Sequence, residues 1–156
     1  MCAVKACSIG AKTPSLTKRA LAETLVTRVQ GDFMARSPLK RALKPLLPLL
    51  GAWTYSGDSA LGPLTCQRTF TPILDGNWVQ LDAVWTYKDP KRGDYVERCL
   101  LGLNAEKSLS FHSFINDGSS SDGIEADGSD ISANALCFEA QMPHGLARQT
   151  YWPGEY

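Results

Sequence analysis

Histidine and closely spaced cysteines are what this 156-residue chain has least of. Its two histidines, His112 and His144, cannot build a three-histidine zinc site, and no H-E-x-x-H or C-x-x-C-H motif occurs. The five cysteines stand at 2, 7, 66, 99 and 137 with no C-x-x-C pair, which argues against a zinc ribbon and thioredoxin-like redox chemistry. No metal is therefore expected. No apolar run approaches the roughly 20 residues needed to span a bilayer, so no membrane span is expected. No apolar stretch follows the basic start in the manner of a secretory signal. Net charge is also missing, with 16 Lys and Arg against 16 Asp and Glu. A nucleic-acid partner is not expected of such a chain. There is no G-x-S-x-G nucleophile elbow and no Gly-Lys-Ser/Thr phosphate loop. The Ser-rich stretch Gly118–Gly123 reads as a hairpin loop. An odd number of widely spaced cysteines suits buried, reduced thiols, so a reducing, cytoplasmic location is expected.

Hydrophobic residues at 44% and charged residues at 21% describe a globular chain, and the length suits one domain. The charge is unevenly spread. Residues 1–48 carry nine basic and two acidic side chains, a net +7, which leaves −7 for the remainder. Residues 1–33 thus form a basic arm, read as helical or disordered. Within it, 16–26 reads as one helix after Pro14-Ser15, with Leu21, Leu25 and Val29 at four-residue spacing. Three roles compete for the arm: an organelle-targeting segment, a docking helix, or sequence upstream of a true start at Met34. The last is favoured, because Met34-Ala35-Arg36-Ser37 begins just before the domain. Residues 34–50 form a second unit. Pro45 and Pro48 interrupt a short helix there, and Leu46, Leu47, Leu49 and Leu50 can seat it as a plug against a core.

After Gly51 the texture changes to short Trp-, Tyr-, Val-, Thr- and Phe-rich runs separated by Gly, Asp, Asn and Pro. Strands are expected near 52–57, 64–71, 77–88, 94–103, 107–115, 121–127, 130–141 and 146–152. Asp75-Gly76, Asn116-Asp117-Gly118 and Asp127-Gly128 are expected to make tight hairpins. The spacing leaves no room for crossover helices, so neighbours should be antiparallel. In 77–88, Val79, Leu81, Ala83, Trp85 and Tyr87 share one face. In 94–103, Tyr95, Glu97, Cys99 and Leu101 oppose Val96, Arg98, Leu100 and Gly102, and in 107–115 Leu109, Phe111 and Ser113 oppose Ser110, His112 and Phe114. Faces that are apolar yet carry a few polar groups suit a ligand-holding barrel better than a sandwich.

Gly51-Ala52-Trp53 follows the Leu-rich plug and opens the first of these strands, and Gly76-Asn77-Trp78 opens the third. Together these resemble the G-x-W opening of lipocalin-like (calycin) barrels. The pattern Leu49 to Gly57, with Gly102-Leu103-Asn104 as a later turn, is similar to the uncharacterised bacterial family catalogued as domain of unknown function 1579. The resemblance covers about residues 46–152. It implies an all-β, antiparallel, up-and-down barrel over 51–156 whose closed end is plugged by Trp53. It also implies a late basic residue stacked on that Trp. Either Arg148 takes that role, or the chain is truncated and the barrel stays open. A related haem-binding barrel family shares the G-x-W start, so haem on His112 or His144 is the one cofactor to consider.

The functional expectation is non-catalytic binding of a small apolar or amphipathic molecule inside the barrel. The candidate ligand-binding residues are Trp53, Trp78, Trp85, Glu97, Arg98, Phe111 and His112, with no catalytic residue assigned. Glu97 and Arg98 are included because adjacent strand residues point to opposite faces, so one of them faces inward and needs a partner. Two alternatives stay open. One is a small barrel enzyme using Glu97 or His112 as acid or base on a hydrophobic substrate. The other is a packed structural or interaction barrel without a ligand.

Overall fold

A computed structural model describes residues 2–9, 27–29, 39–59, 61–142 and 145–153. The strands in chain order are β1 (Cys2–Ile9), β2 (Thr27–Val29), β3 (Gly51–Ser59), β4 (Gly62–Ile73), β5 (Trp78–Tyr87), β6 (Tyr95–Leu103), β7 (Leu109–Ile115), β8 (Ser120–Ala126), β9 (Leu136–Met142) and β10 (Gly145–Pro153). From β3 to β10 each strand pairs antiparallel with the next, an eight-strand meander. β1 adds beside β10 and β2 adds beside β3, so two segments of the basic arm lie in the sheet. The helix expected over 16–26 lies outside the described residues.

The sheet is strongly curled. Phe70 on β4 meets Tyr151 on β10 edge-on at 5.8 Å, although the two strands are six steps apart in the sheet. Six flat steps would separate them by about 29 Å at the usual strand spacing. Likewise Gln149 on β10 hydrogen-bonds Glu97 on β6, four steps away. The protein is therefore an all-β, antiparallel, barrel-like sheet, and its core lies on the concave side. Val79, Leu81, Ala83 and Trp85 line β5, and Glu97, Cys99 and Leu101 line β6 beside them. The two-residue alternation read from the sequence is the alternation observed.

The plug is a 3-10 helix over Arg41–Leu49. Two prolines three residues apart remove N–H donors that an α-helix would use, and residues at i and i+3 eclipse in this tighter coil. The result is a three-residue stripe, in which Leu43, Leu46 and Leu49 are buried against Trp53 and the sheet. The Lys40 N–H donates to the Gly76 carbonyl at 2.9 Å, which ties the plug to the β4–β5 turn. Gly51 then turns the chain into β3 at φ 112, a conformation closed to side chains with a Cβ.

Two turns depart from expectation. Leu74, Asp75 and Gly76 all take positive φ, so the β4–β5 connection is a four-residue turn with three left-handed residues and Asn77 closing it, rather than a two-residue hairpin. Its frame is closed by the Asn77 side chain, which donates to the Leu74 carbonyl at 2.8 Å. Asp127-Gly128 does not close a hairpin. It opens a loop that runs to Ala135, and β9 begins at Leu136 rather than 130. Asp127 instead caps that loop by accepting from the Ser129 N–H at 2.9 Å. The loop lies over the outer face of β9 and β10, held by Arg148, whose guanidinium donates to both Asp130 oxygens at 2.7 Å and to the Asp127 carbonyl. Arg148 thus serves the outer loop, and its resemblance-based role on Trp53 is replaced by this one.

The stripe makes a direct prediction. Leu46→Ala should cost about 2–5 kcal/mol in urea unfolding, as full burial dictates, while Leu47→Ala, one position out of phase, should cost less than about 1 kcal/mol. Equal losses would contradict the three-residue period.

Candidate functional site

Cross-strand register builds the interior site row by row. Trp53, Arg68, Ala83 and Glu97 are successive partners across β3, β4, β5 and β6. The row above runs Tyr55, Cys66, Trp85 and Tyr95, and the row below runs Gly51, Phe70, Leu81, Cys99 and Ser113. Arg68 and Glu97, one row among apolar and aromatic neighbours, are both buried, at 9% and 4% exposure.

Glu97 is met by donors from three strands. Its Oε1 accepts from Ser113 at 2.5 Å, from the Cys99 thiol at 3.1 Å and from Gln149 Nε2 at 3.1 Å. The Tyr151 hydroxyl donates in turn to the Gln149 carbonyl oxygen at 3.1 Å, which fixes the amide. Arg68 stacks its guanidinium 5.0 Å over the Trp85 ring, and Tyr95 meets the same indole edge-on at 4.9 Å. The Arg68 Nε–H is buried without an acceptor. Burial pushes the thiols of Cys66 and Cys99 upward; the nearby Glu97 charge adds to the rise, and Arg68 pulls against it.

Tyr95 also reaches the rim. An open cleft of about 500 Å³ lies between the β5–β6 and β7–β8 loops, lined by Tyr87, Arg92, Gly93, Asp94, Tyr95, Asn116 and Asp117. The Tyr95–Trp85–Arg68 stack therefore leads from the rim inward.

The expected site residues divide by parity. Trp53, Trp85, Glu97 and Phe111 face the interior, where the Trp53 Nε1–H donates to the Leu49 carbonyl at 2.7 Å and Phe111 meets Phe138 edge-on at 5.7 Å. Trp78, Arg98 and His112 face outward and do not line the interior. Arg98 pairs with Asp82 at 2.6 Å, and His112 Nδ1 lies 2.6 Å from Asp122. Trp78 packs over Gly102 and 6.0 Å from the His112 ring. His112 cannot serve as an axial haem ligand inside the barrel, nor act together with Glu97 across the sheet. His144 lies outside the described residues. Among the described residues no group of His, Cys, Asp and Glu could hold a metal ion, and no helix is long and apolar enough to cross a membrane.

Sequence reasoning missed Arg68, Ser113 and Gln149. The signal for Arg68 was present: it falls in phase with Leu64, Cys66 and Phe70, so its strand carries an arginine in the apolar row.

Removing the Glu97 carboxyl leaves the buried Ser113 and Cys99 donors and the part-buried Gln149 amide unmet. Glu97→Ala should therefore destabilise by about 1–3 kcal/mol for each buried donor left unmet in urea unfolding, and Glu97→Gln by less. The buried thiols set an alkaline limit. Cys66 and Cys99 hold their protons in the fold to higher pH than in the unfolded chain. Their contribution is complete below about pH 8.5 and fades as pH rises beyond it, by up to about 1.4 kcal/mol per pH unit for each group. Unfolding free energies measured from pH 7.5 to 10.5 should show this decline, and Cys99→Ser should flatten it.

No family model, curated protein or solved structure matches this chain.

Proposed function

We propose that this protein is a lipocalin-like barrel that binds a small apolar or amphipathic molecule in its interior and performs no chemistry on it. The observation that carries the reading is the buried Arg68 and Glu97 set in one row within aromatic walls. Packing alone does not call for a buried cation. An apolar core of equal volume is often at least as stable as one holding buried charges. A few convergent polar groups in an otherwise apolar interior are what orient a bound small molecule.

Two further features support the lipocalin-like part of the reading. Gly51 at positive φ and the buried Trp53 tied back to Leu49 take the positions that the G-x-W resemblance implies for the closed end. Cys66, Cys99 and Cys137 are free and buried, which supports a reducing, cytoplasmic setting.

Native mass spectrometry of the protein purified from its source tests the reading, together with titration by the neutral fluorophore N-phenyl-1-naphthylamine. A stable adduct and a blue-shifted, saturable fluorescence rise are expected. An unliganded mass with no fluorescence response would leave a packed barrel without cargo.

A further inference from the structure

We propose that the rim cleft is a binding site of its own and that its ligand is a neutral carbohydrate. The proposal goes beyond the interior reading and stands independently of it, because burying a row of hydroxyls in an apolar core is costly while an open cleft leaves them in reach of water.

The cleft holds about 500 Å³, within the roughly 300–1,000 Å³ usual for small-molecule sites. Its two walls, the β5–β6 and β7–β8 loops, are braced against each other by Asn116. The Asn116 side-chain oxygen accepts from the Val96 N–H at 3.1 Å, its amide donates to the Asp94 carbonyl at 2.9 Å, and its own N–H donates to the Val96 carbonyl at 3.0 Å. Tyr87 is the last residue of β5 and Tyr95 the first of β6. Both rings are half-buried against the core, so they are fixed in place while still bordering the cleft.

Charge selects among ligands. Arg92 brings one positive charge to the lining, and Asp94 and Asp117 bring two negative ones. Hydrogen bonds from the side chain and backbone of Ser119 hold the Asp117 carboxyl below the usual carboxylate range, so it stays ionised at neutral pH. A monoanion meets two carboxylates against a single guanidinium. A cation finds the Tyr87 face already taken, since the Arg92 guanidinium lies 5.9 Å over that ring. A hydroxyl both donates and accepts, so a neutral polyol satisfies the carboxylates and the guanidinium together. Adjacent sugar hydroxyls match the two oxygens of one carboxylate, and the C–H face of a pyranose suits the electron-rich face of a tyrosine ring.

The test titrates the 15N-labelled full chain with methyl glucoside, methyl galactoside, methyl mannoside and maltotriose, and with glucosamine and glucuronate as charged probes. At least one neutral probe should give saturable amide shifts centred on residues 87–95 and 116–117, and should bind at least about tenfold more tightly than either charged probe. Tyr87→Leu keeps apolar packing but removes the ring, and Asp94→Ala removes an exposed carboxylate. Each should weaken that binding by about fivefold or more. The proposal is overturned if none of the neutral probes shifts these amides, if a charged probe binds as tightly, or if either folded variant binds undiminished. Spectral dispersion reports whether each variant folds; if Tyr87→Leu does not, Asp94→Ala and the comparison of charged with neutral probes decide the matter.

Discussion

A carboxylate placed inside a protein must be met by donors, and in this fold one of the donors that meet Glu97 comes from across the curled sheet. Ser113 arrives from the neighbouring strand, Cys99 from the same strand, and Gln149 from β10 on the far side. The last of these spans the interior. Together with the Phe70–Tyr151 contact, it holds a long meander in a curled shape that pairing of neighbours alone would not specify. Because the low-dielectric interior strengthens each of these hydrogen bonds, the network fixes curvature as well as satisfying the charge. The plug completes the arrangement from one end, where three leucines in a single stripe cover the floor beneath Trp53.

The two faces of the sheet do different work. Outside, charges stand in exposed pairs such as Arg98 with Asp82, each worth little to stability. Arg148 is the exception, because one guanidinium gathers a whole loop over β9 and β10 and holds the Asp130 carboxyl below the usual carboxylate range. Inside, charge is sparse and every position matters. The contrast explains why Cys137 and Phe138, adjacent residues that must face opposite ways, are both buried: one faces the core and the other lies beneath the loop.

Much of this arrangement was legible in the sequence. Two-residue alternation placed Val79 to Trp85 and Glu97 to Leu101 on the inner face, and turn residues marked most strand ends. The site was less legible for a physical reason. Parity puts Glu97 and Arg98 on opposite faces without saying which turns inward, and it puts His112 opposite Phe111; the structure turns Glu97 and Phe111 in and Arg98 and His112 out. Arg68 shares the phase of Leu64, Cys66 and Phe70, which is that of the core, although charged strand residues usually face water. Gln149 could not be found by phase alone. Its meeting with Glu97 depends on how far the sheet bends, which is a property of the whole strand set. The plug was read as a broken α-helix, but a period of three, set by Pro45 and Pro48, selects Leu43 in place of Leu47.

The arm strands carry a consequence for how the molecule is made. Cys2 lies opposite Pro153 in the β1–β10 ladder, while Thr27–Val29 from the same arm lines the other edge at β3. Among the described ladders, the β1–β10 ladder has the greatest sequence separation. Until β10 has left the ribosome, β1 has no partner, and the earlier strands can curl only provisionally. Closure of so long a loop comes late and slowly, so β1 waits for its partner until the whole meander between them has been made.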